Sequence, residues 1–194
     1  MKILLSSNKQ IIKRFLKENS KIGFIPTASE LDSDRWYMEK DKKDLIEMRY
    51  NITNIEITSE EKEEILKKLN SVDAIFVAGG NCFYLLQQLK QKDIIQELIE
   101  FANNKLYIGS SAGSCIACPS IDYVSKFDDK EDNDYHAMNL IDKYILPHYK
   151  SDEEYTKLIN EIIKDHPNLQ FITLTNEQAI IVNERDDYEI IDTE

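Results

Sequence analysis

The stretch YIGSSAGSCIACPS sets Gly109 and Gly113 two positions either side of Ser111, in a chain that holds only five glycines. Gly-x-Ser-x-Gly at the end of an apolar run predicts a tight strand-to-helix bend that lifts the serine hydroxyl to the rim of a sheet. A hydroxyl is a weak nucleophile. Serine chemistry therefore needs exposure, a base to take the proton, and donors for the oxyanion that forms. The bend supplies the first, and it directs the Ala112 N–H and the amino end of the following helix toward the reacting atom. A second donor is expected from the VAGGN turn, where Gly79 and Gly80 leave the backbone uncovered and Gly80 or Asn81 offers an N–H.

The base must come from three histidines. His166, in KDHPN, falls in the closing turn of a charged helix, and His136 falls in the polar segment KEDNDYHAMN. His148 ends the apolar run YILPHY, with Pro147 stiffening its approach. That sets it at a strand end, and it is the expected base. A third group should hold its imidazole. Asp122, Asp128, Asp129, Glu131, Asp132 and Asp134 all lie between Ser111 and His148, and spacing alone does not choose among them. Cys115 and Cys118 have redox spacing, but they are predicted to lie inside the helix after Ser111, where small thiols pack into a core. With Cys82 they form no set at zinc spacing. No metal or organic cofactor is expected.

These residues need a scaffold that brings them to one rim. KILLSS, KIGFIPTAS, NITNIEIT, DAIFVAGG, LYIGS, YILPHY and LQFITLT read as strands. KQIIKRFLKE, DRWYMEKDKKDLIEMRY, CFYLLQQLK, DIIQELIEFANN and EEYTKLINEIIKD carry helical spacing. Ser59, ahead of a Glu-rich turn, predicts another helix start. QAIIVNE and YEIID predict a hairpin turned at Asp186 and Asp187. The alternation implies an α/β fold: a doubly wound, mainly parallel sheet with helices on both faces and a C-terminal antiparallel hairpin, in one domain over residues 1–194. In such a sheet ligands sit beyond the carboxyl ends of the strands, where the VAGGN and IGSSAG turns both fall.

Composition narrows the partners. The chain is 42% hydrophobic and carries a formal charge of −12. No basic stripe exists to neutralise phosphates, so neither a nucleic acid nor an anionic membrane is an expected partner. The opening MKILLSSNKQ has no secretory apolar segment, and no run is long enough to span a bilayer, so a cytoplasmic location is expected. A homodimer is compatible with this reading.

AGGNCFYLL, YIGSSAGSCIACPSI and LPHY together resemble the dipeptidase E family of serine peptidases, the aspartyl dipeptidases, over most of the chain. These belong with cyanophycinase to a group that has the class I glutamine amidotransferase-like fold. The resemblance implies Ser111 as nucleophile, His148 as its base, Gly79, Gly80 and Ala112 around the oxyanion, and a small peptide as substrate. At the spacing where that family carries its acidic triad member this chain has Lys126, so the resemblance implies Asp128 or Asp129 in that role after a small shift of the loop. Asp128 is the expectation. Glu177, in LTNEQAIIV, is a candidate for lining the pocket or for the acidic partner. Members that cleave after an amino-terminal aspartate resemble one another in a cationic residue after the histidine. Here HYKSDEEYTKL offers Lys150 and Lys157 but no arginine, and a lysine does not reproduce the guanidinium fork. The rival readings are a non-catalytic or cyanophycinase-like member of the fold, an amidotransferase (which needs a cysteine at the position of Ser111), a Cys-x-x-Cys redox protein, and an alpha/beta-hydrolase.

Overall fold

Strands form where the apolar runs lie. The computed structural model describes residues 2–6, 9–127 and 134–193. Its strands are β1 (Lys2–Ser6), β2 (Lys21–Ile25), β3 (Asn51–Asn54), β4 (Ala74–Val77), β5 (Leu106–Gly109), β6 (Tyr144–Leu146), β7 (Phe171–Thr173), β8 (Gln178–Glu184) and β9 (Asp187–Asp192). Seven of them form one sheet in the order β3-β2-β4-β5-β1-β8-β9. The first five run parallel, and β8 and β9 close one edge as an antiparallel hairpin.

Side chains alternate between the two faces, as a strand buried on both sides requires. Ile3, Leu5, Ile75, Val77 and Tyr107 enter one core, and Leu4, Ala74, Phe76 and Ile108 enter the other. The first core is covered by α2 (Lys62–Ser71), α3 (Cys82–Gln91), α4 (Ile95–Asn104), α5 (Ala112–Cys115) and α6 (Glu153–Asp165). The second is covered by α1 (Trp36–Glu47) and a 3₁₀ helix, Lys9–Arg14. Helices on both faces of a mainly parallel sheet with a C-terminal hairpin are the expected fold. Two helix starts are capped as their sequences suggest. Asn81 accepts from the Tyr84 N–H and Asp152 from the Tyr155 N–H, each supplying an oxygen to a donor that the helix leaves unpaired. Among the described residues no helix is long and apolar enough to cross a membrane.

The structure corrects four local expectations. The helix after Ser59 begins at Lys62 with Glu61 in the cap position, because residues 57–60 form a turn around the fully buried Ile57. KQIIKRFLKE winds as 3₁₀ helix rather than α-helix. The segment after Ser111 makes a single α-helical turn, so Cys118 lies beyond regular helix. The hairpin turns at Arg185 and Asp186, since Glu184 pairs with Asp187. YILPHY does form a strand, but it pairs with β7 in a separate two-stranded parallel sheet.

Candidate active site

Register brings the two glycine turns together. Val77 of β4 pairs with Gly109 of β5, so both strands end level and their turns emerge side by side. The Ser110 N–H then donates to the Val77 carbonyl at 3.0 Å. The next residue, Ser111, has φ 49° and ψ −108°, a backbone state that L-residues avoid. Holding it there costs on the order of 1–3 kcal/mol, which the surroundings must overrule. They do so with buried bonds from below. The Tyr107 hydroxyl donates to the Gly113 carbonyl at 2.7 Å, and the Ser114 hydroxyl donates to the Gly109 carbonyl at 2.8 Å. Both glycines are sterically required: a Cβ on Gly109 would lie 2.4 Å from the Gly113 carbonyl oxygen, and one on Gly113 would lie 2.3 Å from that of Val77. This spacing marks a bend that other residues cannot make.

Gly80 has φ +135° and packs its backbone against Ala28 after β2. Gly79 faces the serine, since a Cβ there would be 3.0 Å from Ser111 Cβ. The expectation for Asn81 divides. Its main-chain N–H donates to the Ala28 carbonyl at 2.8 Å and so is committed, while its side-chain oxygen accepts from Tyr84 at the start of α3. Among the described residues, the N–H groups of Gly80 and Ala112 donate to no backbone carbonyl. The N–H groups of Gly79 and Ser111 are in the same position, and Gly80 and Ala112 are the expected pair for an oxyanion.

His148 also has positive φ, 62°, and its ring meets Tyr155 of α6 edge-on at 5.9 Å. Its Nδ1 lies 2.7 Å from Asn176 Oδ1. An amide oxygen accepts, so this contact sets the Nδ1–H tautomer and leaves Nε2 as the basic nitrogen. Ser111, His148 and Asn176 line one cavity of about 660 Å³, together with Gly79, Gly80, Tyr155 and a wall from α1. No hydrogen bond joins Ser111 to His148 among the described residues; unliganded sites often leave this contact long.

The other expected residues lie elsewhere. Asp128 and Asp129 fall outside the described residues. Asp122 does not line the cavity. Glu177 is exposed and outside the lining, and its carbonyl accepts both the N–H and the hydroxyl of Thr193. His136 pairs with Asp134 in solvent, and His166 ends α6. Lys126 reaches Glu161 at 3.3 Å and Asp165 at 2.7 Å on α6, while Phe127 stacks on Tyr155 at 4.8 Å. Lys150 and Lys157 line an open groove on the outer side of α6 that includes neither Ser111 nor His148. Burial pushes the Cys118 thiol up to about 12, with Cys115 beside it, which keeps it protonated and unreactive at neutral pH. No group of three or more His, Cys, Asp or Glu among the described residues is placed to hold a metal ion.

Sequence reasoning missed Asn176 and the α1 wall. The only signal for Asn176 was its place beside Glu177 at the end of a strand.

The sequence profile of Peptidase family S51 matches residues 2–190. An uncharacterized peptidase of Listeria innocua is 33% identical over 194 residues, covering 94% of this chain and 92% of the relative. A peptidase E of Nostoc sp. is 33% identical over 143 residues, covering 73% of this chain and 57% of the relative. A crystal structure of a candidate peptidase E protein from Listeria monocytogenes superposes with a TM-score of 0.86 at 31% identity, over 98% of each chain.

Proposed function

The chain belongs to Peptidase family S51, and from that premise we propose that it is a serine-type peptidase acting on short peptides through an acyl-enzyme on Ser111. One observation carries the reading. The strained, braced Ser111 shares a cavity with a histidine whose far nitrogen is already held, at 2.7 Å, by Asn176.

In this reading His148 Nε2 takes the Ser111 proton as Oγ bonds to the scissile carbonyl carbon. The carbonyl oxygen, now negative, receives the N–H groups of Gly80 and Ala112. Collapse of the tetrahedral intermediate breaks the C–N bond, and the imidazolium gives its proton to the departing amine. Water, deprotonated by the same histidine, then attacks the acyl ester and restores the serine. Asn176 keeps the ring in register through both halves. The Asp-Xaa preference implied by the resemblance finds little support in the cavity lining, because Lys150 and Lys157 lie on the outer groove.

Replacing Ser111 with Ala should cut peptide hydrolysis by at least roughly a thousandfold and abolish labelling by a fluorophosphonate probe, with the melting temperature kept. His148→Ala should lose nearly as much, because the two act as a unit. Turnover near the parent rate in Ser111→Ala would refute the assignment.

A further inference from the structure

We infer that the cavity wall contributed by α1 is a subsite for an uncharged aromatic or large apolar side chain of the peptide, with Trp36 as its recognition surface. The inference rests on the peptidase reading and names the substrate class of that same cavity.

Trp36 is the chain's single tryptophan. It is 62% exposed and lines the same cavity as Ser111 and His148. An indole left in water forgoes the largest burial available to any side chain, and placing it at the mouth of a concave site makes that surface available to a ligand. Its neighbour Tyr37 also lines the cavity, ring to ring at 6.1 Å and 87°. The Tyr37 hydroxyl bonds to the Asp32 carboxylate, which fixes the second ring. The wall therefore presents two aromatic surfaces on one helix end.

Charge pairing weighs against charged ligands, most strongly at Lys9, since the Lys40 side chain is 59% exposed and its pair is the weaker one. Lys9 and Lys40 line the cavity, and either would suit an acidic side chain if it were unpaired. Lys9 Nζ instead lies 2.6 Å from Asp41 and 3.3 Å from Asp44, and Lys40 Nζ lies 2.8 Å from Asp44. Two ammonium groups thus face two carboxylates. The side chains of Lys9 and Asp41 are only 13% and 14% exposed, so this pair is shielded from water and costly to break. A carboxylate entering the cavity would compete with Asp41 and Asp44 for the lysines, and an ammonium would compete with the lysines for the acids. An uncharged ring meets neither penalty. The cavity is large enough for a dipeptide with one ring, at about 660 Å³.

The test uses Phe-Ala, Ala-Phe, Ala-Ala, Asp-Ala and Lys-Ala with two readouts: kcat/KM of the parent enzyme, and indole-selective fluorescence of the Ser111→Ala variant during titration with each peptide. The phenylalanine peptide of one order should exceed Ala-Ala by roughly tenfold in kcat/KM. It should alter the Trp36 emission at the lowest concentration, and Asp-Ala should fall below Ala-Ala. Trp36→Ala should collapse the Phe-to-Ala ratio, and Trp36→Phe should restore most of it. Preference for Asp-Ala, or a Phe-to-Ala ratio that survives Trp36→Ala, overturns the inference while leaving the peptidase reading intact. A fluorescence response to the phenylalanine peptide with no turnover of any peptide overturns the Ser111 chemistry and upholds the subsite. Neither turnover nor response overturns both.

Discussion

Among the described residues an amide, and no carboxylate, bonds to His148. Both groups accept the Nδ1–H and fix the same tautomer, but only a carboxylate adds negative charge beside the imidazolium that forms during catalysis. Asn176→Asp should therefore keep the tautomer, stabilise the imidazolium that forms in the transition state, and hold or raise kcat. Asn176→Ala removes a hydrogen bond to a ring that becomes charged, and should lower kcat roughly ten- to hundredfold with less effect on KM. A kcat that is unchanged in Asn176→Ala would show that the contact does not orient the base. Asn176 was hidden in the sequence for a reason of reach. It meets His148 because Leu146 of β6 pairs with Thr173 of β7, and the Tyr149 N–H then donates to the Leu174 carbonyl at 2.9 Å. That register is set between strands far apart in the chain, and local residue patterns do not encode it. Ser111 was legible because its glycines are.

At the scale of elements, the bend after β5 is held by main-chain contacts that admit no side chain. Gly113→Ala forces a methyl against the Val77 carbonyl, and the short helix α5 must shift off β4. This should cost about 1–3 kcal/mol or more, seen as a lower urea midpoint at unchanged m-value. An unchanged midpoint would mean that the bend relaxes more freely than its packing implies. Elements with strong periodicity were legible almost to the residue: α6, expected from EEYTKLINEIIKD, spans Glu153–Asp165. The 3₁₀ winding of Lys9–Arg14 was not, because apolar pairs such as Ile11 and Ile12 satisfy either winding and only contact with the sheet decides. The role of α1 escaped for a related reason. Leu45 reads as core and is buried, whereas Trp36 at the other end of the helix reads as core and instead faces the cavity.

Across the whole molecule, the parallel sheet sends the β4 and β5 turns to one rim, and the small β6–β7 sheet delivers His148 and Asn176 to the same cavity. The charge of −12 surrounds this arrangement with net self-repulsion. Exposed ion pairs such as Arg49–Glu18 contribute little to set against it. Moderate added salt shortens the range of the repulsion and should raise the melting temperature by about 2–4 °C. A fall in melting temperature would show that the ion pairs outweigh the net charge.

Lys126 ties its loop to the outer flank of α6. Its ammonium is clamped between Glu161 and Asp165. An acidic side chain at position 126 would crowd three carboxylates onto one flank of α6 and push Phe127 away from its ring partner, Tyr155. Tyr155 also meets the His148 ring, so a charge placed at this one surface position reaches the base through two stacked rings.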